Sequence, residues 1–66
     1  MDGKTVVKLL TKSGWQHVGT QGSQYKMKKA GFPPIVVPVH GKKDLKPGTL
    51  KSIERVTRVK LKRKVT

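Results

Sequence analysis

The residues best suited to chemistry in this chain follow the pair Gly22-Ser23. Polar and apolar side chains alternate from that pair onward, so one face of an extended segment carries Gln24, Lys26 and Lys28. An amide followed by two ammonium groups on one face suits contact with phosphoryl oxygens, although exposed strand lysines also serve to discourage edge pairing. We therefore predict that this face binds the backbone of a nucleic acid.

A second group of candidates lies between residues 40 and 46. His40 has the ring type that transfers protons near neutral pH, although a histidine at the exit of a strand could equally close a turn. Lys42, Lys43 and Lys46 are expected to guide the backbone of a nucleic acid without reading its bases. The other histidine, His17, fits a packed or partly exposed side chain better than a catalyst.

Charge is the strongest feature of the composition. Sixteen Lys and Arg residues against three Asp and Glu residues leave a formal net charge of +13 in 66 residues. Such a density of like charge opposes compaction, so a polyanionic partner is predicted, and nucleic acid is the leading candidate. A surface that is basic only for solubility is the alternative. A membrane surface fits less well, because no segment combines a long apolar face with a basic one.

Several function classes find no support in the composition. The chain has no cysteine, and its two histidines and three scattered carboxylates are too few for a metal site, so we expect no metal and no small-molecule cofactor. The longest apolar run, around residues 35–37, is too short to span a membrane. No secretion signal is recognisable at the N-terminus. The expectation is a cytoplasmic protein.

The residues that flank these candidates predict the elements that must position them. Asp2 suits a helix N-cap, and the helix that it begins is predicted over residues 3–13. Its apolar side chains recur at helical spacing, and Gly14 is typical of a helix end. The outer side of this helix forms a basic ridge of Lys4, Lys8 and Lys12.

Three strands are then predicted, over residues 15–20, 23–29 and 35–39. Trp15 is expected in the core, and Tyr25 and Met27 are expected to face the helices. The pair Pro33-Pro34 ends the second strand. Pro38 indicates either an edge position for the third strand or a strand end where the missing N–H faces outward.

A second helix is predicted to begin at Pro47, with an apolar stripe of Leu50, Ile53 and Val56. The predicted fold is α+β, a two-layer α-β-β-β-α arrangement with a three-stranded antiparallel sheet and two helices on one face. We expect one domain over residues 1–57 and a basic C-terminal tail over residues 58–66, which either adds an edge strand or is disordered.

The chain resembles the HicA toxin family, small toxins of bacterial toxin–antitoxin pairs that cleave messenger RNA. The resemblance covers roughly residues 4–56. It rests on the early apolar helix followed by Gly14-Trp15, on Gly22-Ser23 at the start of the second strand, and on the stretch 37–50, which is its most specific part. It implies a fold like that of double-stranded-RNA-binding domains, RNA cleavage without a metal, and a HicB antitoxin that covers the active face.

One position departs from the family pattern. The catalytic histidine of the family follows the Gly-Ser pair, and this chain has Gln24 there. A histidine, whose ordinary pKa is about 6.5, can take a proton from a ribose 2′-OH, whereas an amide cannot act as a base near neutral pH. The resemblance therefore implies an impaired endonuclease. The glutamine fits either natural divergence or a deliberate substitution that allows a toxic protein to be produced.

Two other functions remain open on the sequence. A non-catalytic module that binds RNA or DNA through charge needs no histidine and accounts equally well for the net charge. A protein-interaction domain whose basic face binds an acidic partner is the third possibility, and an antitoxin would satisfy it together with the endonuclease reading.

Overall fold

The structure is a computed structural model that describes residues 1–41 and 43–61. Its elements are α1 (Gly3–Lys12), β1 (Gln16–Gln21), β2 (Gln24–Lys28), β3 (Ile35–Pro38) and α2 (Pro47–Thr57). This order confirms the predicted α-β-β-β-α arrangement and the α+β fold of the double-stranded-RNA-binding type. The strand limits differ from the predicted ones by at most one residue, because backbone pairing and not residue type sets where a ladder stops.

Helix α1 begins as the sequence predicts. The Asp2 carboxylate accepts a hydrogen bond of 2.9 Å from the Thr5 backbone N–H, which satisfies one of the free donors of the first turn. The helix ends at Lys12, and Ser13 caps it with hydrogen bonds to the carbonyls of the last turn. One face of α1 supplies the buried side chains Val6 and Leu10 to the core.

The three strands form one antiparallel sheet in the order β1-β2-β3, so β2 is the central strand. Met27 lies opposite His17 on β1 and opposite Ile35 on β3. A β-bulge between His17 and Gly19 shifts the register of β1 against β2. Directly opposed residues share a face of the sheet, so this register decides which side chains of the hairpin lie together.

The core lies between one face of the sheet and both helices. Its buried side chains are Val6, Leu10, Trp15, Met27, Val37, Val39, Ile53 and Leu61. Trp15 is in the core as predicted, with 1% of its surface exposed, and its ring packs against Phe32 at a centroid distance of 5.4 Å. Lys29, which was expected to end β2, instead donates a hydrogen bond of 2.8 Å to the Ser13 carbonyl at the end of α1.

Helix α2 starts at Pro47, as predicted, and ends at Thr57; the C-cap residue Arg58 adopts a left-handed conformation with φ 62°. Beyond the helix, Leu61 is 2% exposed, and its backbone N–H donates to the Glu54 carboxylate. The segment 58–61 therefore packs onto the domain through Val59 and Leu61, and it forms no strand. Residues 62–66 of the predicted tail lie outside the described residues, and the boundary after Thr57 stays a prediction.

The two described helices have 10 and 11 residues. A helix needs about 20 apolar residues to cross the hydrocarbon core of a bilayer. Neither α1 nor α2 is long enough and apolar enough to do so.

Candidate nucleic-acid interface

The open face of β2 carries the three residues that the sequence singled out. Gln24, Lys26 and Lys28 are all exposed, whereas Met27 between the two lysines is completely buried beneath the helices. The predicted division of the strand into a packed face and a polar face is therefore present. The distance from the first to the last of the three residues is about 13 Å along the strand, at 3.3 Å per residue.

Strand β1 supplies the neighbours of these side chains. Gln21 lies opposite Gln24, Gly19 opposite Lys26, and Gln16 opposite Lys28. A Cβ atom built on Gly19 would lie 3.9 Å from Cδ of Lys26, so the aliphatic part of the lysine lies beside the glycine. The open face thus has amides at both ends and contains no carboxylate on β1 or β2 to compete for its cations.

Gln24 is the first residue of β2 and follows the turn that contains Gly22, whose φ of 61° favours glycine. On its other side it pairs with Pro38 of β3. The pairing continues past the strand end, because the Val39 N–H donates a 2.7 Å hydrogen bond to the Ser23 carbonyl. The next residue, exposed His40, therefore lies at the same end of the sheet as Gln24.

The basic loop is held at this end of the sheet as well. The Leu45 N–H donates to the Met1 carbonyl at 2.8 Å, and the N-terminal ammonium group lies 3.2 Å from a carboxylate oxygen of Asp44. The N-terminal segment in turn lies against β3, since a Cβ atom on Gly3 would meet the Pro38 carbonyl oxygen at 2.3 Å. The loop is thus attached next to the residue that pairs with Gln24.

Of the lysines predicted in this loop, Lys43 and Lys46 are exposed, and Lys42 lies outside the described residues. The structure therefore brings Gln24, His40 and the segment that carries Lys43 to one end of the sheet. Lys28 lies at the other end, beside a depression of about 550 Å³ that is lined by Gly14, Gln16, Lys28, Lys29 and Ala30. The cations on the open face therefore extend away from Gln24 along β2.

The sequence did not indicate a cluster on the other side of the hairpin. The rings of His17 and Tyr25 stack at a centroid distance of 4.6 Å with an angle of 15° between their planes. His17 Nε2 lies 2.7 Å from the Thr20 hydroxyl oxygen, and both of these residues are exposed. The cluster depends on the bulge in β1, which simple alternation of residue types does not predict.

No metal site is built from the residues that the structure describes, since no three His, Asp or Glu side chains come together there. Among the residues that the structure describes, Asp2 has a clearly shifted pKa: hydrogen bonds from Thr5, first from its side chain and then from its backbone, lower it. The described side chains that the sequence singled out at this interface are amide, ammonium and imidazole groups.

The fold and this surface define a class, namely small basic domains of the double-stranded-RNA-binding type with a polar, cationic sheet face. The family model described as the HicA toxin of bacterial toxin–antitoxin pairs matches residues 3–62, nearly the whole chain. The chain belongs to the HicA toxin family. A comparison with curated proteins gives no match.

Membership in the family identifies the chain as a toxin of a toxin–antitoxin pair, for which a cognate antitoxin is the implied partner. The match extends to residue 62, past the end of α2, and it includes the packed residues Val59 and Leu61.

Proposed function

We propose that this chain is a ribosome-independent messenger-RNA endonuclease toxin whose cleavage activity is impaired because Gln24 occupies the position of the general base. The observation that carries the proposal is the shared exposure of Gln24, Lys26 and Lys28 on the open face of the central strand. A cationic surface with a single polar group at its end is suited to hold a phosphodiester next to a proton acceptor.

The chemistry requires a base at one defined place. The base takes the proton from a ribose 2′-OH, the oxygen attacks the adjacent phosphorus in line, and the bond to the 5′ oxygen breaks. The leaving oxygen then needs a proton. A histidine after Ser23 could accept the proton from the 2′-OH, whereas the amide of Gln24 can only position the hydroxyl by hydrogen bonding.

Lys26 and Lys28 are assigned to the phosphoryl oxygens. Both ammonium groups are on the face of Gln24 and are free of carboxylate neighbours on β1 and β2. Positive charge fixed near the phosphorus stabilises the charge that develops in the transition state. Lys43 and Lys46, which lie before α2, are assigned to the RNA backbone further along, where they add affinity without reading bases. Lys42 retains the same proposed role.

His40 is assigned as a second proton-transfer group. It is exposed, and it follows Val39, whose backbone N–H is hydrogen-bonded to Ser23, the residue immediately before Gln24. In that place it can protonate the leaving oxygen while the residue at position 24 acts on the 2′-OH. Its assignment depends on that of Gln24, because a lone acid does not replace the base.

The decisive experiment restores the base. We expect Gln24→His to cleave single-stranded RNA about 10²- to 10⁴-fold faster than the present chain, since a positioned general base contributes that much. Gln24→Asn is the matched control, because it keeps an amide and gains no base. Cleavage is measured on a labelled oligonucleotide with a chelator present, at equal ellipticity of the three proteins.

Two outcomes would contradict the proposal. A Gln24→His protein that is folded and binds RNA, yet neither cleaves it nor arrests growth, would show that position 24 is not the proton-transfer site. Equal and substantial cleavage by all three proteins would place the base elsewhere.

The role of His40 is tested in the active Gln24→His protein. If His40 supplies the proton to the leaving oxygen, His40→Gln should lower the cleavage rate of that protein while leaving its RNA affinity within about twofold.

A non-catalytic RNA-binding module is the second candidate function, and the amide at position 24 favours it. In both functions the basic face is also the surface that an acidic antitoxin would cover, through complementary charge. A titration with salt separates the partners, because the affinity for phosphates falls steeply with salt concentration.

A further inference from the structure

The stacked rings of His17 and Tyr25 lie on the side of the sheet opposite to Gln24, and the proposed cleavage chemistry does not use them. Tyr25 is half-buried against the core, whereas His17 is exposed and covers the Tyr25 ring at 4.6 Å. The contact with Thr20 at 2.7 Å fixes the orientation of the imidazole. An exposed flat ring, backed by a second ring and held in place by a hydroxyl, is a prepared surface for a third ring.

The position of the cluster relates it to the candidate site. Strand β1 is an edge strand, and the bulge between His17 and Gly19 lies on it. Bulges at sheet edges often change the direction of a side chain. Thr20, which contacts His17, and Gln21, which pairs with Gln24, are neighbours on β1. The stacked rings and the open face therefore lie on opposite sides of the same strand.

We propose that the His17–Tyr25 pair binds one nucleobase of a single-stranded RNA that passes around the β1 edge from the open face. This rests on the proposed RNA-binding function, and it assigns the chemical class of the ligand: an unpaired base that stacks by its flat face. Stacking tolerates any base, so the site adds affinity and sets where the strand lies without selecting a sequence.

The test uses a labelled single-stranded RNA with 2′-O-methyl groups, which cannot undergo in-line attack, and the same oligonucleotide lacking its bases. Anisotropy titrations compare the present chain with His17→Ala, His17→Phe and Lys26→Gln. For the oligonucleotide with bases, His17→Ala should weaken binding about 5- to 10-fold, the lower part of the range for aromatic stacking. His17→Phe keeps a flat ring and should bind within about twofold of the present chain.

The abasic oligonucleotide and the salt dependence separate stacking from charge. His17→Ala should leave abasic binding and the slope of log affinity against log salt unchanged, whereas Lys26→Gln should weaken both oligonucleotides and reduce the slope by about 0.7. Equal affinity of His17→Ala and the present chain for the base-containing RNA would overturn the inference while leaving RNA binding intact. Failure of the present chain to bind either oligonucleotide would instead remove the proposed function and this inference with it. Equal thermal midpoints of the variants confirm that folding is not the cause.

Discussion

The two faces of β2 differ in what determines their side chains. Met27 and Tyr25 contact a core formed by both helices, and Met27 has no exposed surface. Gln24, Lys26 and Lys28 are exposed, and no helix covers them. Packing restricts the first face to apolar side chains of a certain volume, whereas the second face could accept almost any polar residue. Two lysines on the second face, in a chain that already repels itself, are therefore better explained by a partner than by the fold.

The largest effect expected from this difference comes from shortening one side chain on each face. We expect Met27→Ala to lower the free energy of unfolding by about 2–5 kcal/mol, because it leaves a cavity among Leu10, Trp15 and Val37. Lys28→Ala, one residue along, should change it by no more than about 0.5 kcal/mol. The measurement is urea denaturation followed by far-ultraviolet ellipticity. A domain of this length has about 3–10 kcal/mol in total, so the Met27 variant would lose a large fraction of its stability. Equal losses from both variants would refute the assignment of faces.

The next effect concerns the contact between α1 and β3 behind the candidate site. A Cβ atom at Gly3 would lie 2.3 Å from the Pro38 carbonyl oxygen and 2.8 Å from the Val39 Cα, both of which are backbone atoms that cannot rotate away. Gly3→Ala should therefore destabilise the domain by about 1–3 kcal/mol through overpacking.

Gly48 provides the control for that replacement. It lies in the first turn of α2, and nothing lies within 4 Å of a Cβ atom built on it. Gly48→Ala should raise stability by up to about 1 kcal/mol, because alanine loses less conformational freedom on forming a helix. Urea midpoints at equal m-values measure both changes. Destabilisation of equal size by the two replacements would show that the close contact of Gly3 does not limit packing.

The same division explains what the sequence alone could predict. Asp2, the helical spacing of Val6 and Leu10, and Pro47 act locally, so the beginnings of both helices were predictable. The alternation after Ser23 indicated correctly that Met27 is buried and that Gln24 is exposed on the polar face. Local signals of this kind are present in the residues themselves.

Features that depend on distant contacts were not predictable. An inserted residue in β1 leaves no mark in an alternating pattern, so the bulge and the stacking of His17 on Tyr25 appear only in the structure. The basic segment after Arg58 is predicted to be extended or disordered, yet Leu61 is buried in the core and its N–H donates to the Glu54 carboxylate seven residues earlier. The attachment of the basic loop through Leu45 and Met1 is likewise a contact between distant parts of the chain.

The smallest effect is expected at Asp2, which lies on neither face of the sheet but begins α1. Hydrogen bonds from Thr5 lower the pKa of this carboxyl below its ordinary value of 3.8. The stabilisation linked to that shift is complete above the ordinary value, and it is lost as the pH falls through the lowered pKa. Asp2→Asn keeps an oxygen that can cap the helix but does not titrate. Lowering the pH from about 6 to about 2 should therefore reduce the unfolding free energy of the present chain more than that of the variant.

Asp2→Asn changes a single ionisable group, so contributions common to both proteins cancel in the difference between their unfolding free energies. Urea midpoints measured at each pH provide it directly. A difference that stays constant over the whole range would mean that the Asp2 carboxylate gains nothing from Thr5 on folding. The N-cap would then act through the shape of the side chain alone and not through its charge.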